Sequence, residues 1–525
     1  LDDALDELER GLIYGAHNQK ALALKATVLR KMGRKDDALS VCRQALKTDL
    51  FNYACRYEMY LLTGDKELLD EMKRMLQRLA KNYDEVALDY YAAGLYDEAQ
   101  DIWNIAIGQG AVTPMTYYYL ALLHVEGPQP NHELCTINYE LAEQARPDYC
   151  FPNRPEDVIA LEAAKQMNPQ GAKAPYYLGC LYYAARQYDL AMQNWQLSAQ
   201  LDPQFPTVWR NLALALFNKQ DQQQEAVEYM ERAFRLDESD ARVLMELDQL
   251  YRRLQKPHQE RLAFLQSHPQ LIRQRDDLVL EEITLLNQVG RYEEAKQKLD
   301  AHIFHPWEGG EGKVPAQYQI CRVELAKQAI LLGHNDRAIL LLNECLEYPH
   351  HLGEGKLYGA QENDFFYLLG VAYDAKSREK EENARLRTKA IECWEEATKG
   401  PQEPAAAMYY NDAKPDKIFY QGMALLKLNR KDEANGRFHK LVNYGKQHIF
   451  DNIVMDYFAV SLPDLLIWED SLNRKNEIHC KYMLALGYYG LGDRAKARRY
   501  LDEVRRLDIN HQGIQSTLTF IEGRG

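Results

Sequence analysis

The amino-acid sequence predicts an all-α fold of antiparallel helical hairpins stacked in a right-handed superhelix, an α/α solenoid. Three observations of register carry this. Ten alanines mark one recurring position: Ala4, Ala38, Ala99, Ala191, Ala226, Ala295, Ala338, Ala390, Ala434 and Ala497. Twelve residues before most of them stands another small residue (Ala26, Ala87, Gly179, Ala326, Gly422, Ala485), with Gly370 in that role before Ala390. Four residues after them comes a large apolar one, such as Trp103, Trp195, Leu299, Leu342, Trp394, Phe438 or Leu501. Small residues at fixed places on two successive helices let their backbones approach, and the large residue fills the space beside them.

The elements follow in order. In residues 1–145, Ala4, Leu8 and Gly11 match the second helix of a hairpin whose first helix is missing, so the sequence reads as a fragment of a longer protein. Gly33, Gly64 and Gly94 mark turns, whereas 51–82 and 113–145 depart from the pattern. Three prolines, Pro147, Pro152 and Pro155, make 146–155 a rigid connector. A helix is expected from about Glu156 to Asn168, opening the compact repeats of 156–300, with a further departure at 241–265. The best-formed unit, Lys173 to Pro203, holds Gly179, Tyr182, Ala191, Trp195, Ser198 and Pro203 at tetratricopeptide offsets. In 301–515 the alanine spacing rises from 34–35 residues to 43, 52, 44 and 63. The surplus is assigned to insertions at His302–Pro315, Glu347–Glu362, Gly400–Asp416 and Gly445–Glu477, with a charged within-hairpin turn around Lys376–Arg387. Residues 516–525 read as a tail, in which Ile521-Glu522-Gly523-Arg524 resembles a protease site left by an expression vector.

Composition narrows the function classes. Charge is acidic, 64 basic against 78 acidic side chains, and dispersed. That argues against nucleic acid, which needs a concentrated basic stripe; Arg498, Arg499, Arg505 and Arg506 read as a solvated helix face. Many of the 35 tyrosines (Tyr90, Tyr182, Tyr373, Tyr488) fall at hairpin-core positions. The nine cysteines form no C-x-x-C pair, and reduced thiols in a cytoplasmic protein are the simplest reading. No apolar stretch suits a membrane helix, and no secretory leader is present. The His302/His305 and His350/His351 pairs lack a metal-site pattern, no G-x-S-x-G elbow occurs, and no metal or cofactor is expected.

Loops at equivalent places in stacked repeats emerge along one edge, a common binding face. Two of them are near copies: His305–Lys313 and Tyr348–Lys356 share P-x-x-x-G-E-G-K. The plain reading is a helix-terminating turn. The sharper one is a ligand site presenting Trp307, Glu308, Glu311, Lys313, Glu354 and Lys356 side by side. Neither copy is a phosphate loop, because Trp307 and His350 stand where Walker A needs glycine. Asn363 or Asp364 is a candidate N-cap as well as a candidate ligand contact. Tyr409, Tyr410, Asn411 and Asp412 extend the polar-aromatic theme, and Glu308 with Asp412 offers a carboxylate pair. The segment 455–473 is apolar enough to form an extra helix covering a groove, with Trp468 as core or contact.

The strings H-P-W-E-G-G-E-G-K, L-G-E-G-K-L-x-G-A-Q-E-N-D, A-M-Y-Y-N-D and D-Y-F-A-V-S-L-P-D resemble those of a bacterial family of tetratricopeptide proteins. In that family a large β-rich domain of unknown function, similar to sugar-binding β-sandwiches, precedes the helical array. The resemblance covers about residues 1–515 and implies that the missing N-terminal part is that domain, a partner within the same polypeptide; it supplies no catalytic residue. The leading functional expectation is a non-enzymatic scaffold binding a protein, peptide or other ligand through the loop-lined edge of its second half. The alternative is an accessory or catalytic module of a carbohydrate-active protein, loops 303–315, 347–364, 403–416 and 455–473 completing a glycan site. A smooth groove lined by Asn, Arg and Lys from first helices favours a peptide; an ordered sugar or a close carboxylate pair in the groove favours the alternative. An (α/α) toroid is a third possibility, against which the compact early repeats argue.

Overall fold

The computed structural model describes residues 1–307, 309–378, 383–406, 414–454, 467–514 and 516. These contain 27 α-helices, one 3-10 turn and no strand. The chain divides into two compact units, Leu1–Val208 and Trp209–Gly525.

The first unit comprises α1 (Asp2–Tyr14), α2 (Gln19–Lys31), α3 (Lys35–Thr48), α4 (Tyr53–Thr63), α5 (Lys66–Leu76), α6 (Ala80–Ala92), α7 (Tyr96–Gly108), α8 (Pro114–Glu126), α9 (His132–Gln144), α10 (Pro155–Met167), α11 (Lys173–Ala184) and α12 (Tyr188–Leu201). Helix α13 (Pro206–Gln220) carries the boundary. The second unit continues with α14 (Gln223–Leu236), α15 (Ala241–Arg253), α16 (His258–Gln266), α17 (Pro269–Ile272), α18 (Asp276–Gln288), α19 (Tyr292–Ala301), α20 (Lys313–Leu331), α21 (Asn335–Glu344), α22 (Asn363–Ser377), α23 (Asn383–Ala397), α24 (Pro415–Lys427), α25 (Lys431–His448), α26 (Leu472–Gly490) and α27 (Arg494–Leu507).

Consecutive helices pair as hairpins (α2 with α3, α6 with α7, α11 with α12, α22 with α23, α26 with α27), and first helices of neighbouring hairpins also touch: α18 with α20, then α22, α24 and α26. Nine of the ten marker alanines are fully or almost fully buried. Ala4 is exposed, because α1 meets α2 through Leu5, Leu8 and Leu12. The paired small residues are explained by their large neighbours. The indole of Trp195 occupies the space a Cβ on Gly179 would need, Trp394 does the same at Gly370, and the Phe438 ring at Gly422. Gly33, Gly64 and Gly94 turn the chain with φ of 78°, 70° and 73°, the left-handed region where a side chain is strained.

Two expected boundaries move. Helix α25 runs to His448 and α26 starts at Leu472, so both ends of the expected Gly445–Glu477 insertion belong to helices. Gly445 and Gly487 let those helices cross closely: a Cβ on Gly445 would meet the Cys480 carbonyl, and one on Gly487 that of Phe438. Pro147 and Pro152 lie between α9 and α10, and Pro155 is the first residue of α10, where a missing N–H costs nothing.

Candidate functional site

The loops after α19 and α21 do meet. Phe304 N–H donates to the His351 carbonyl at 2.8 Å, and Gly312 N–H donates to the Glu354 carboxylate at 2.7 Å. Gly353, at φ 74°, lies so close to the Phe304 carbonyl that no Cβ fits. Asp276 ties the first loop down, bonding His302 Nε2 at 2.7 Å and the His305 backbone N–H at 2.7 Å; these contacts hold its carboxyl below the usual range against a burial effect.

The individual side chains divide by role. Trp307 packs over Gly310 of its own loop, while Glu311 and Lys313 are exposed. Glu354 caps the start of α20, and burial raises its carboxyl despite that bond. Lys356 closes its own loop, donating to the Leu346 carbonyl at 2.8 Å and pairing with Glu362 at 2.6 Å. Asn363 and Asp364 are not N-caps, since Glu362 holds that position. Both side chains turn inward: Asn363 Nδ2 donates to the Ala397 and Lys399 carbonyls at 2.8 Å each, stapling the end of α23, and Asp364 pairs with buried Lys417 of α24. They are therefore internal braces. Glu308, Tyr409, Tyr410, Asn411 and Asp412 lie outside the described residues.

A different surface of the second unit carries a denser set of polar contacts, missed by the sequence reading. Residues 467–470, 508–514 and 516 return to helices more than 180 residues earlier and are held there chiefly by side chains. The Asn218 carboxamide on α13 grips backbone at both of its ends, donating to the Ile467 carbonyl at 2.8 Å and accepting from Glu469 N–H at 2.9 Å. Between them Trp468 is fully buried, its indole N–H donating to the Glu246 carbonyl at 2.9 Å and its ring edge-on to Phe217. Lys219 pairs with Glu469, and Arg253 with Asp470.

The second segment crosses the ends of α15 and α18 to reach α20. Gln255 accepts from Ile509 N–H at 3.1 Å, Gln288 donates to the Asn510 carbonyl at 3.2 Å, and Gln317 exchanges a bond with Gln512 at 2.9 Å. Lys327 donates to Ser516 at its carbonyl and, at 2.9 Å, its hydroxyl; the hydroxyl donates to Glu324 at 2.6 Å. Asn510 is the most contacted residue. Its Oδ1 accepts from Arg261 at 3.1 Å and meets His258 Nε2 at 3.2 Å, while Nδ2 donates to the Arg252 carbonyl at 3.2 Å and to Asp508 at 3.1 Å. Arg261 is itself fully buried and held by the Asp248 carboxylate at 3.1 and 2.7 Å and by Glu281 at 2.6 Å. Burial pulls its guanidinium down, but the two carboxylates outweigh that and leave it above its ordinary value. The surface thus holds these segments through carboxamides and through cations that carboxylates compensate. Among the described residues it holds no metal-ligand cluster. No described helix is long and apolar enough to cross a membrane.

The sequence signal for this surface is faint. Asn218, Gln255, Gln288 and Gln317 sit at or near helix ends, where polar residues ordinarily face water, and their partners share no spacing with them.

Residues 176–241 match the tetratricopeptide-repeat family. Among solved structures, the chain is similar to a tetratricopeptide repeat protein from Parabacteroides merdae (14% identity, 56% of this chain and 98% of that one, TM-score 0.24). It is also similar to PilF of Pseudomonas aeruginosa (18%, 42% and 88%, TM-score 0.26) and MamA of Desulfovibrio magneticus (18%, 38% and 97%, TM-score 0.23). The repeat match at 176–241, set in an array of like hairpins, makes this a helical-repeat protein that contains tetratricopeptide repeats.

Proposed function

We propose that the protein is a non-enzymatic scaffold that binds an extended segment of a partner protein along helices α13 to α20 of its second unit. The observation that carries this reading is the Asn218 carboxamide holding a backbone carbonyl and a backbone N–H of the same passing segment, Ile467 and Glu469. That contact depends on main chain, as recognition of varied peptides requires. Gln255 and Gln288 hold main chain in the same way. The loop edge supplies a second, smaller contact surface through Trp307, Glu311 and Lys313. The glycan reading has less support, because Glu354, Lys356, Asn363 and Asp364 already serve backbone and neighbouring charges.

A phage-displayed library of linear peptides selected against the whole folded chain tests the proposal. Enriched peptides are expected to lose at least tenfold in affinity to Asn218→Ala or Gln317→Ala chains that melt like the parent. Selection that enriches nothing, or binding indifferent to both substitutions, rejects it. Loss on Trp307→Ala alone moves the site to the loop edge.

A further inference from the structure

The segment after α27 sits on its surface differently from the way the hairpins sit on one another. Helix α27 is fixed by apolar residues, Ala497, Leu501 and Val504, all buried. Past Leu507, residues 508–513 stay half-exposed and only Ile514 is buried. Most of what else holds 508–514 and 516 is a hydrogen bond to a side chain of α16, α18 or α20, to Gln255 or to the Arg252 carbonyl; from α26, Tyr482 donates to the Gly513 carbonyl at 3.1 Å and its ring meets that of His511, centroids 4.5 Å apart. Such bonds exchange for bonds to water with little net gain, while each ordered residue loses backbone freedom. Polar attachment of this kind is specific and readily reversed.

The receiving surface also tolerates departure. When Asn510 leaves, Arg261 keeps both Asp248 and Glu281, so no buried charge is stranded. Helix α27 keeps its own apolar contacts and its final backbone bond, Asp508 N–H to the Val504 carbonyl at 2.8 Å. Asp508 meanwhile shapes the visitor rather than the surface. Its carboxylate accepts from the Asn510 backbone N–H at 2.9 Å and from its side chain, presenting the carboxamide to Arg261 and His258.

We propose that residues 508–514 are a resident ligand, occupying in cis a surface that reads a partner segment of the chemistry Asp-x-Asn-x-Gln-x-Ile. This rests on the peptide-scaffold reading above and adds the partner's chemistry and its control. The Asp-x-Asn turn delivers a carboxamide to Arg261, the Gln meets Gln317, and the Ile fills the place of Ile514. The chain's own copy sets the threshold, because a partner enters only by outcompeting a segment already tethered at high effective concentration.

The test uses a fluorescein-labelled synthetic peptide covering Leu507–Ser516, with binding read by anisotropy on the whole chain. The Asn510→Ala chain is expected to bind this peptide at least tenfold more tightly than the unsubstituted chain, and a peptide carrying Asn510→Ala is expected to bind neither. Hydrogen exchange on the unsubstituted chain gives a second readout: amides of 508–514 are expected to exchange well ahead of those in α18 and α20. Exchange of 508–514 only together with α20, or an Asn510→Ala chain that does not fold, shows the segment to be core and overturns the proposal. An Asn510→Ala chain that melts normally but gains no affinity overturns it too. If library-selected peptides still bind in that case, only the resident-ligand inference falls; if none bind, the scaffold reading falls with it. A dimer of the unsubstituted chain that the peptide dissolves overturns the partner assignment in favour of a second copy.

Discussion

Gly179 and Trp195 illustrate how size, more than hydrophobicity, sets the hairpin contact. The indole lies where a methyl group would be, with its N–H donating to the Tyr176 carbonyl at 3.1 Å, so the ring has little room to retreat. Gly179→Ala is expected to cost about 1–3 kcal/mol by overpacking, and Ala191→Leu and Ala226→Leu about as much each. Urea unfolding of the three variants checks this; unchanged midpoints would mean the contact is looser than its geometry. Residue-level chemistry also predicts a pH dependence. Asp84 is buried, accepting from Trp103 Nε1 at 3.1 Å and from Thr116, and burial raises its carboxyl to about 7. A carboxyl with a raised folded-state pKa binds its proton more tightly when folded. Its contribution is therefore full below about pH 4 and is lost as pH rises toward 7. Asp84→Asn should stabilise the protein increasingly from pH 5 to pH 8, by at most about 4 kcal/mol. Thermal melts of both chains across that range measure the difference, and parallel curves would contradict it.

Among elements, the loops show what a repeat pattern reveals and what it hides. The shared P-x-x-x-G-E-G-K string places two loops at equivalent positions, and Gly312 and Glu354 do meet. What the string does not reveal is direction. Glu354 accepts from the Gly312 N–H that opens α20, and Asn363 faces back to the end of α23. Those outcomes depend on where the neighbouring helix begins and ends, which a loop sequence does not encode. Asn363→Ala is expected to cost about 1–3 kcal/mol by leaving the Ala397 carbonyl unpaired, Gln421 still serving that of Lys399, with faster amide exchange at the α23 end than elsewhere in the unit. Uniform exchange would show that water takes over the staple.

At the scale of the molecule, the hairpin array was legible because tetratricopeptide contacts are between near neighbours, so the alanine ladder records them directly. The docking surface was not, because Asn218 and Ile467, or Arg261 and Asn510, are separated by 249 residues and share no period. Trp468 is the test of that long return. Its replacement by Ala should cost about 3–5 kcal/mol, and should loosen α13 and α15 as well as its own neighbourhood. Protection lost only around residue 468 would show the return to be a local tether.

The same return has a consequence for how the protein is made. A solenoid can ordinarily fold hairpin by hairpin as it is synthesised, each needing only its predecessor. Here Lys327, the last side chain of the docking surface, emerges long before Asn510, and translation at about 5–20 residues per second leaves on the order of 10–40 s between them. During that interval the surface is complete and its own segment does not yet exist. A nascent chain is therefore most receptive to a partner during that interval, and the synthesis of residues 508–514 decides when the opportunity ends.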